Sequence, residues 1–255
     1  MKKHLLKGFI LLIFVTLVSC VTNKKRTYLQ YEGTRSDTVI SVTPKDYKVL
    51  PFDNLFIKVV TPDPKLSEMF NTIPTTTNGI SVTEQSADLI SYPIDSEGNI
   101  RIPYAGKLAV AGKTLSDITL EVEASLNNYI ADAAVSVKMV NNYVSLLGEV
   151  QRPGKYVIYK DRLNIFQALA MGGDLGLYSN RQMIQIIRPT ARGNVVKDFS
   201  LTDRSIMTSE YFYVLPNDVI YAKPAKGRFF QMGTFPYALI ISTITTGILL
   251  YNVVK

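Results

Sequence analysis

The sequence predicts an α+β protein in which two small strand-rich modules are followed by a C-terminal amphipathic transmembrane helix. Three observations support this prediction. Short runs of alternating apolar and polar residues, separated by turn residues, fill positions 44–224. A helix-initiating motif interrupts these runs once in each half, at Thr114 and at Asn164. A run without charged residues, from Phe235 to Val254, follows the second module.

The N-terminal residues have the organisation of a secretory signal. Basic residues precede an apolar run at 9–18, which is shorter than the roughly 20 residues that a transmembrane helix needs. Ser19 then precedes Cys20, and a small residue followed directly by cysteine is where bacterial lipoprotein signals are cut. We therefore predict a lipoprotein signal peptide at 1–19 and a lipidated N-terminus at Cys20. An ordinary secretory signal with a chance cysteine is the alternative.

The rare residues restrict the possible chemistry. His4 is the only histidine and leaves with the signal, while the only thiol, Cys20, is committed to diacylglycerol and a fatty acid. Ser-His and Cys-His catalysis and zinc sites built from His or Cys are therefore excluded, and no other cofactor is predicted. The chain also has no dense basic tract in its middle, so nucleic acid is not an expected partner.

Paired carboxylates remain as possible catalytic groups. A carboxylate-based glycosidase or lyase would have to use one or two members of a small set of acidic residues. The candidates are Asp95, Glu97, Glu149 and Asp174. Asp95 and Glu97 lie in Asp-Ser-Glu-Gly, which is more typical of a turn than of a catalytic pair. We therefore predict that the protein is not an enzyme.

The first module is predicted at 44–141, after a lipidated linker at 20–43. Strands are expected at 47–49, 55–60, 106–112 and 135–139, and a hairpin is expected to join 90–94 to 99–103. Residues 61–87 are rich in Pro, Thr, Ser and Asn, and their structure is not interpreted. Thr114 and Asp117 form a capping box, and apolar residues at helical spacing follow as far as Leu126.

The second module is predicted at 142–224. Strands are expected at 144–150, 156–159, 183–187 and 211–214, with a turn at 152–154. A short helix begins at Asn164 and ends at Gly172-Gly173. One short motif also recurs between the modules, since Val49-Leu-Pro-Phe-Asp53 resembles Val214-Leu-Pro-Asn-Asp218. The similarity is compatible with two modules that use the same turn chemistry.

The C-terminal segment, assigned to 229–255, has two chemically different sides on a helical wheel. One side carries the polar stripe, which consists of Ser242, Thr243, Thr245, Thr246 and Asn252, and isoleucines dominate the other side. Several copies in a ring could turn the polar stripe towards a water-filled lumen. The alternatives are a plain membrane anchor, whose hydroxyls bond to carbonyls of their own helix, and a buried core helix.

The order of these motifs resembles a known family. Tyr92-Pro-Ile-Asp-Ser-Glu-Gly-Asn-Ile-Arg-Ile-Pro-Tyr-Ala-Gly106, continued by Val110-Ala-Gly-Lys-Thr114, is similar to the polysaccharide biosynthesis/export domain. Leu147-Gly-Glu-Val-Gln-Arg-Pro-Gly-Lys-Tyr156 is similar to the soluble-ligand-binding β-grasp (SLBB) domain. The whole arrangement resembles Wza-type outer-membrane polysaccharide export lipoproteins. One departure is Pro51-Phe52-Asp53, where that family usually has Pro-Gly-Asp.

The resemblance implies a function in transport. It implies a ring-shaped homo-oligomer in the outer membrane of a Gram-negative bacterium, with most of its mass in the periplasm. A capsular or extracellular polysaccharide would pass through the lumen, and the polar stripe would line the pore. An inner-membrane polysaccharide co-polymerase is the implied partner. The alternative is a lipid-anchored periplasmic glycan-binding module with a C-terminal membrane anchor.

Overall fold

The computed structural model of the protein describes residues 26–30, 39–40, 42–71, 90–140, 142–160, 162–225 and 237–254. Two separate apolar cores lie within these residues, one built from positions 49–137 and the other from positions 144–222. Helices and strands alternate around both cores, so the predicted α+β class is confirmed. The separation of the cores is consistent with two small modules.

The first core is enclosed by five strands and two helices. They are β1 (Asn54–Val60), α1 (Pro64–Phe70), β2 (Tyr92–Pro93), β3 (Asn99–Ile102), β4 (Gly106–Ala109), α2 (Leu115–Leu126) and β5 (Ala134–Met139). β1 is the central strand of an antiparallel sheet with the order β2-β1-β5, and β3 pairs with β4 as a separate hairpin. Helix α2 buries Ile118, Val122 and Leu126 completely in this core.

The predicted capping box fixes the start of α2. The Thr114 hydroxyl accepts a hydrogen bond from the Asp117 amide, and the Asp117 carboxylate accepts one from the Thr114 amide. Both donors would otherwise lack a partner at the helix N-terminus. Asn164 and Gln167 form the same reciprocal pair at the start of the helix in the second module.

Two expectations for the first module need correction. The hairpin predicted between 90–94 and 99–103 is wrong, because β2 pairs with β1 and β3 pairs with β4. Pro93 has no amide hydrogen, and its strand lies at the sheet edge, where proline is tolerated. The strand predicted at 47–49 is reduced to a single bridge between Lys48 and Thr114.

The uninterpreted stretch at 61–87 contains helix α1 within its described part. Asp63 is the N-cap and accepts a hydrogen bond from the Lys65 amide, and Pro64 occupies the first turn. This Asp-Pro pair is a helix-start signal that the sequence interpretation missed.

The second core is enclosed by seven strands and one α-helix. They are β6 (Tyr143–Gly148), β7 (Gly154–Val157), β8 (Leu163–Asn164), α3 (Ile165–Met171), β9 (Ser179–Thr190), β10 (Gly193–Phe199), β11 (Tyr213–Val214) and β12 (Val219–Pro224). Five strands form one mixed sheet with the order β10-β9-β12-β6-β7, in which only β12 and β6 are parallel. The strands predicted at 144–150 and 183–187 are confirmed, although β9 is much longer than expected.

Gly148 in the Leu147-Gly-Glu-Val motif is required by close packing. It lies at the end of β6 with a φ of +82°, and a β-carbon there would come within 2.3 Å of the Ala222 carbonyl oxygen. The Glu149 amide donates a hydrogen bond to that same carbonyl. A larger residue would therefore separate β6 from β12.

Part of the predicted N-terminal linker is attached to the second module. The Leu29 and Gln30 amides donate hydrogen bonds to the carbonyls of Leu201 and Thr202, at 3.1 and 2.7 Å. The Tyr28 hydroxyl donates to Asp174, and this hydrogen bond acts with burial to raise the pKa of Tyr28 to about 12. Residues 26–30 are therefore a docked segment rather than a free linker.

The C-terminal run forms helix α4 (Tyr237–Val254), and every side chain described on it is exposed. The alternative of a buried core helix is therefore wrong. Among the described residues, no helix combines the length and apolar character needed to cross a bilayer, so the predicted transmembrane helix is also wrong. The 18 residues of α4 extend about 27 Å at about 1.5 Å per residue, and hydroxyl side chains interrupt the apolar surface of this helix.

The turn before β1 forms without the glycine that is usual at its centre. Phe52 adopts a φ of +71°, in the left-handed region that is unfavourable for residues with a β-carbon. Its side chain is 74% exposed and contributes little burial to offset that cost. Phe52 therefore holds local backbone strain.

Replacing Phe52 with glycine should relieve this strain. We expect Phe52→Gly to raise the free energy of unfolding by about 1 kcal/mol, measured by urea denaturation. Phe52→Ala is the matched control, because it removes the same ring but keeps the left-handed penalty. Equal stabilities for the two variants would contradict the strain argument.

Candidate functional site

The repeated Leu-Pro-x-Asp motif forms the same turn in both modules. In the first turn, the Leu50 amide donates a hydrogen bond to Asp53 Oδ2 at 2.8 Å, and the Asp53 amide donates to the Leu50 carbonyl at 3.2 Å. Leu215 and Asp218 make the same two hydrogen bonds at the same distances. The central residue is left-handed in both turns, with φ +71° at Phe52 and +66° at Asn217.

Each turn is also hydrogen-bonded to a neighbouring segment of its own module. The Phe52 amide donates to the Ile94 carbonyl, and the Ile94 amide donates to the Asp53 carbonyl. In the second module two residues share these roles, because the Asn217 amide donates to the Tyr143 carbonyl and the Ser145 amide donates to the Asp218 carbonyl. The similarity seen in the sequence therefore corresponds to two turns with the same internal hydrogen bonds and different neighbouring contacts.

The two turns contact each other at the boundary between the modules. Asn217 Nδ2 donates a hydrogen bond to Asp53 Oδ1 at 3.2 Å. The other carboxylate oxygen of Asp53 accepts from the Tyr47 hydroxyl at 2.7 Å. Burial of Tyr47 beside the Asp53 carboxylate raises the pKa of the tyrosine well above its ordinary value, so Tyr47 is a hydrogen-bond donor in the folded protein. We call these residues, together with Arg188 and Asp218, the junction cluster.

Arg188 on β9 completes the junction cluster. Its Nε and Nη2 atoms donate to the two oxygens of Asp218 at 3.0 and 2.8 Å, and Nη2 also donates to the Tyr213 carbonyl at 2.9 Å. Asp218 is completely buried. Burial raises the pKa of Asp218, while Arg188 and the Leu215 amide favour its ionised form. This geometry binds a planar carboxylate with a planar guanidinium.

A second contact between the modules lies at the surface. Lys45 Nζ and Glu210 Oε2 form an ion pair at 3.0 Å, with both side chains mostly exposed. Such pairs add at most about 1 kcal/mol to stability. A cleft of about 250 Å³ lies beside it, between residues 42–45 and the strand carrying Arg188. The buried junction cluster therefore provides the stronger connection between the modules.

The four carboxylates considered for catalysis have other partners. Asp95 accepts hydrogen bonds from the amides of Glu97 and Asn99, which lower its pKa, whereas a catalytic acid needs a raised one. Glu97 pairs with Lys107 at 2.7 Å. Asp174 accepts from Tyr28, and Glu149 also has an interaction partner. Within the described ranges, no three His, Cys, Asp or Glu side chains converge to form a possible metal site.

The structure describes the residues predicted to line a lumen, but not the residue predicted to carry the lipid. Cys20 lies outside the described residues, so its lipidation stays a prediction. The polar stripe lies on the exposed helix α4. Thr243 and Thr245 donate hydrogen bonds to the Ile240 and Ile241 carbonyls of their own helix, which is the bonding expected under the alternative of a plain membrane anchor. Whether the stripe faces a lumen stays a prediction.

Sequence interpretation did not identify Arg188 or Tyr47 as important residues. Arg188 lies 30 positions from Asp218, and no local pattern connects the two. The only available signal was the repeated Leu-Pro-x-Asp motif, which indicated a common turn but not the contact between its two copies.

Removing the Arg188 guanidinium should destabilise the protein strongly. Arg188→Met leaves a buried carboxylate without its countercharge, which typically costs about 3–5 kcal/mol in the free energy of unfolding. Without Arg188, the pKa of Asp218 rises further above its unfolded value. Asp218 in the folded variant then takes up a proton more readily, and protonation removes the unpaired charge. The loss in the free energy of unfolding should therefore be greatest at neutral pH and should shrink on acidification.

Urea denaturation at about pH 7 and about pH 5 measures both effects. Lys223→Met is the matched control, because it removes a partly exposed pair with Asp198 and should cost about 1 kcal/mol or less. A similar small loss for Arg188→Met, or a loss that grows on acidification, would contradict this role for Arg188.

The first module matches a known protein family. Residues 41–140 match the sequence model described as polysaccharide biosynthesis/export protein. The chain is 31% identical over 106 residues to the Exopolysaccharide production protein ExoF of Rhizobium meliloti, covering 40% of this chain and 25% of that relative. It is 30% identical over 87 residues to the EPS I polysaccharide export outer membrane protein EpsA of Ralstonia nicotianae, covering 33% and 23%.

A third relative, EpsA of Ralstonia solanacearum, is 27% identical over 89 residues, which cover 34% of this chain and 24% of the relative. The matched part therefore spans about a quarter of the length of these curated relatives. The match to the family includes the first Leu-Pro-x-Asp turn, the β3–β4 hairpin and the capped helix α2. Residues 41–140 of this chain are therefore similar to the polysaccharide biosynthesis/export family.

Proposed function

We propose that the protein takes part in exporting a capsular or extracellular polysaccharide across the outer membrane of a Gram-negative bacterium. The family match of the first module carries this proposal. The names of two relatives, which describe polysaccharide export outer membrane proteins, support both the process and the location. The proposed activity is translocation without bond cleavage, consistent with the structural partners of the four candidate carboxylates.

A ring of several copies is the proposed assembly. Helix α4 exposes a group of large apolar side chains, and within the described residues no other element covers them. The group comprises Ile240, Ile241, Ile244, Ile248, Leu249, Leu250 and Tyr251. Packing α4 against copies of itself would remove this surface from water, and burial is worth roughly 25 cal/mol per Å². In such a ring, the polar stripe would face the lumen and hydrate a passing glycan.

The junction cluster gives the ring a wall of defined shape. Because Asn217 joins the second turn to Asp53, the two modules of each copy would move as a unit. The β-rich modules would then form a periplasmic vestibule around the glycan. An inner-membrane polysaccharide co-polymerase is the proposed partner on the periplasmic side.

The docked segment supports a role for the proposed lipid in positioning this vestibule. Five residues lie between Cys20 and Arg26, the first residue of the docked segment. An extended chain of this length spans about 20 Å at most. A lipid on Cys20 would therefore hold the second module close to the membrane surface.

The alternative is a lipid-anchored glycan-binding module that does not form a ring. The hydrogen bonds of Thr243 and Thr245 to carbonyls of their own helix favour it, because these hydroxyls then need no lumen water. The two functions differ in what they require of α4. Export through a ring needs the sequence of α4, whereas a glycan-binding module does not.

A helix replacement distinguishes the two functions. Deleting the protein from its host should stop the release of polysaccharide, and the wild-type chain should restore it. A variant in which residues 237–254 are replaced by an unrelated apolar helix of equal length should fail to restore release. Extracellular polysaccharide is the measurement, and the wild-type abundance of the variant in the membrane fraction is the control.

Electron microscopy of the same two proteins, purified in detergent, tests the assembly directly. The wild-type chain should form rings, and the replacement variant should not. Full release by the replacement variant, together with single copies of the wild-type chain, would favour the glycan-binding module. Normal release after deletion of the protein would contradict a role in export.

A further inference from the structure

The hairpin β3–β4 carries two positive charges directly opposite each other. Arg101 and Lys107 are cross-strand partners in its register, and both side chains are exposed on the same face. Like charges in this position repel each other, so Arg101 opposite Lys107 does not stabilise the hairpin. An interaction with an anion outside the chain would explain why both are present.

The two cations differ in their partners. Lys107 is 2.7 Å from Glu97 and 4.0 Å from Asp95, which lie in the turn before β3. The proximity of Glu97 raises the pKa of Lys107, so its ammonium group is charged at neutral pH. The side chain of Arg101 has no hydrogen bond or ion pair with any residue that the structure describes. Its guanidinium is therefore available to an external ligand.

Both side chains line a surface groove of about 680 Å³. The rest of its wall is formed by Ile90, Ser91, Tyr92, Ile102, Pro103 and Gly106. This volume lies within the range of about 300–1,000 Å³ that is usual for ligand pockets. The groove is open along one side, so a segment of a long chain could lie in it without threading through the protein.

We propose that this groove binds a carboxylate-bearing sugar of an acidic polysaccharide. The proposal rests on the export function and names its substrate class. The planar fork of Arg101 matches a sugar carboxylate with two parallel hydrogen bonds, and the Lys107 ammonium adds a second positive charge. Glu97 competes with the sugar for Lys107, so the contact stays weak enough for the glycan to be released. Loose binding of this kind suits a transported substrate.

Binding of short oligosaccharides to the full-length chain in detergent tests the proposal. The acidic probe is fluorescently labelled tetragalacturonic acid. The neutral control is labelled maltotetraose, an uncharged tetrasaccharide. The wild-type chain should bind the acidic probe and not the neutral one, and added salt should weaken binding. Arg101→Gln should weaken it about tenfold, which corresponds to about 1.4 kcal/mol for a lost charge-assisted pair.

Two further variants test whether binding depends on the charges in the groove. Glu97→Gln frees Lys107 from its partner and should strengthen binding of the acidic probe. Lys138→Gln removes an exposed cation on β5, outside the groove, and should leave binding unchanged. Arg101→Gln should not lower the melting temperature, because it removes a repulsive pair rather than a stabilising contact.

Several outcomes would overturn the proposal. They are equal binding of both probes, unchanged affinity in Arg101→Gln, and a melting temperature that falls while affinity is retained. A change in ring formation by Arg101→Gln without a change in affinity would assign the groove to contact with another copy of the chain. If the wild-type chain restores polysaccharide release but binds no acidic probe, this inference fails while the export function stands.

Discussion

The hydrogen bond from Asn217 to Asp53 is the contact on which the arrangement of this protein depends. Each of its two residues belongs to a Leu-Pro-x-Asp turn that is held rigid by its own carboxylate. Both carboxylates are almost completely buried, and an unpaired buried charge costs far more than a surface one. The turns must therefore form with all their donors in place, and when they do, they bring the modules together.

This constraint links the chemistry of one turn to the proposed transport function. A vestibule for a long glycan needs walls that keep their shape while the substrate moves. Two modules joined only by the exposed Lys45–Glu210 pair could move relative to each other, because such pairs are weak. The junction cluster supplies a buried and directional connection instead.

The sequence predicted the features that depend on side chains only a few positions apart. Both helix starts were recognisable because Thr114 bonds Asp117 and Asn164 bonds Gln167, each three positions away. Pairings between distant segments were not recognisable, as with β2 on β1, or Arg188 on Asp218. The helix at 237–254 was predicted, but its capacity to cross a membrane was overestimated because its apolar residues were weighed above its hydroxyls.

The central claim is that Asn217 and Asp53 couple the two modules energetically. A double-mutant cycle with Asp53→Ala and Asn217→Gly tests it, since glycine keeps the left-handed backbone at 217 while removing the amide. The free energies of unfolding of the wild type, both single variants and the double variant should show a coupling of about 1 kcal/mol. A cycle of Asp53→Ala with Asn194→Gly, on the exposed strand β10, should be additive. Additivity in the first cycle as well would contradict the account.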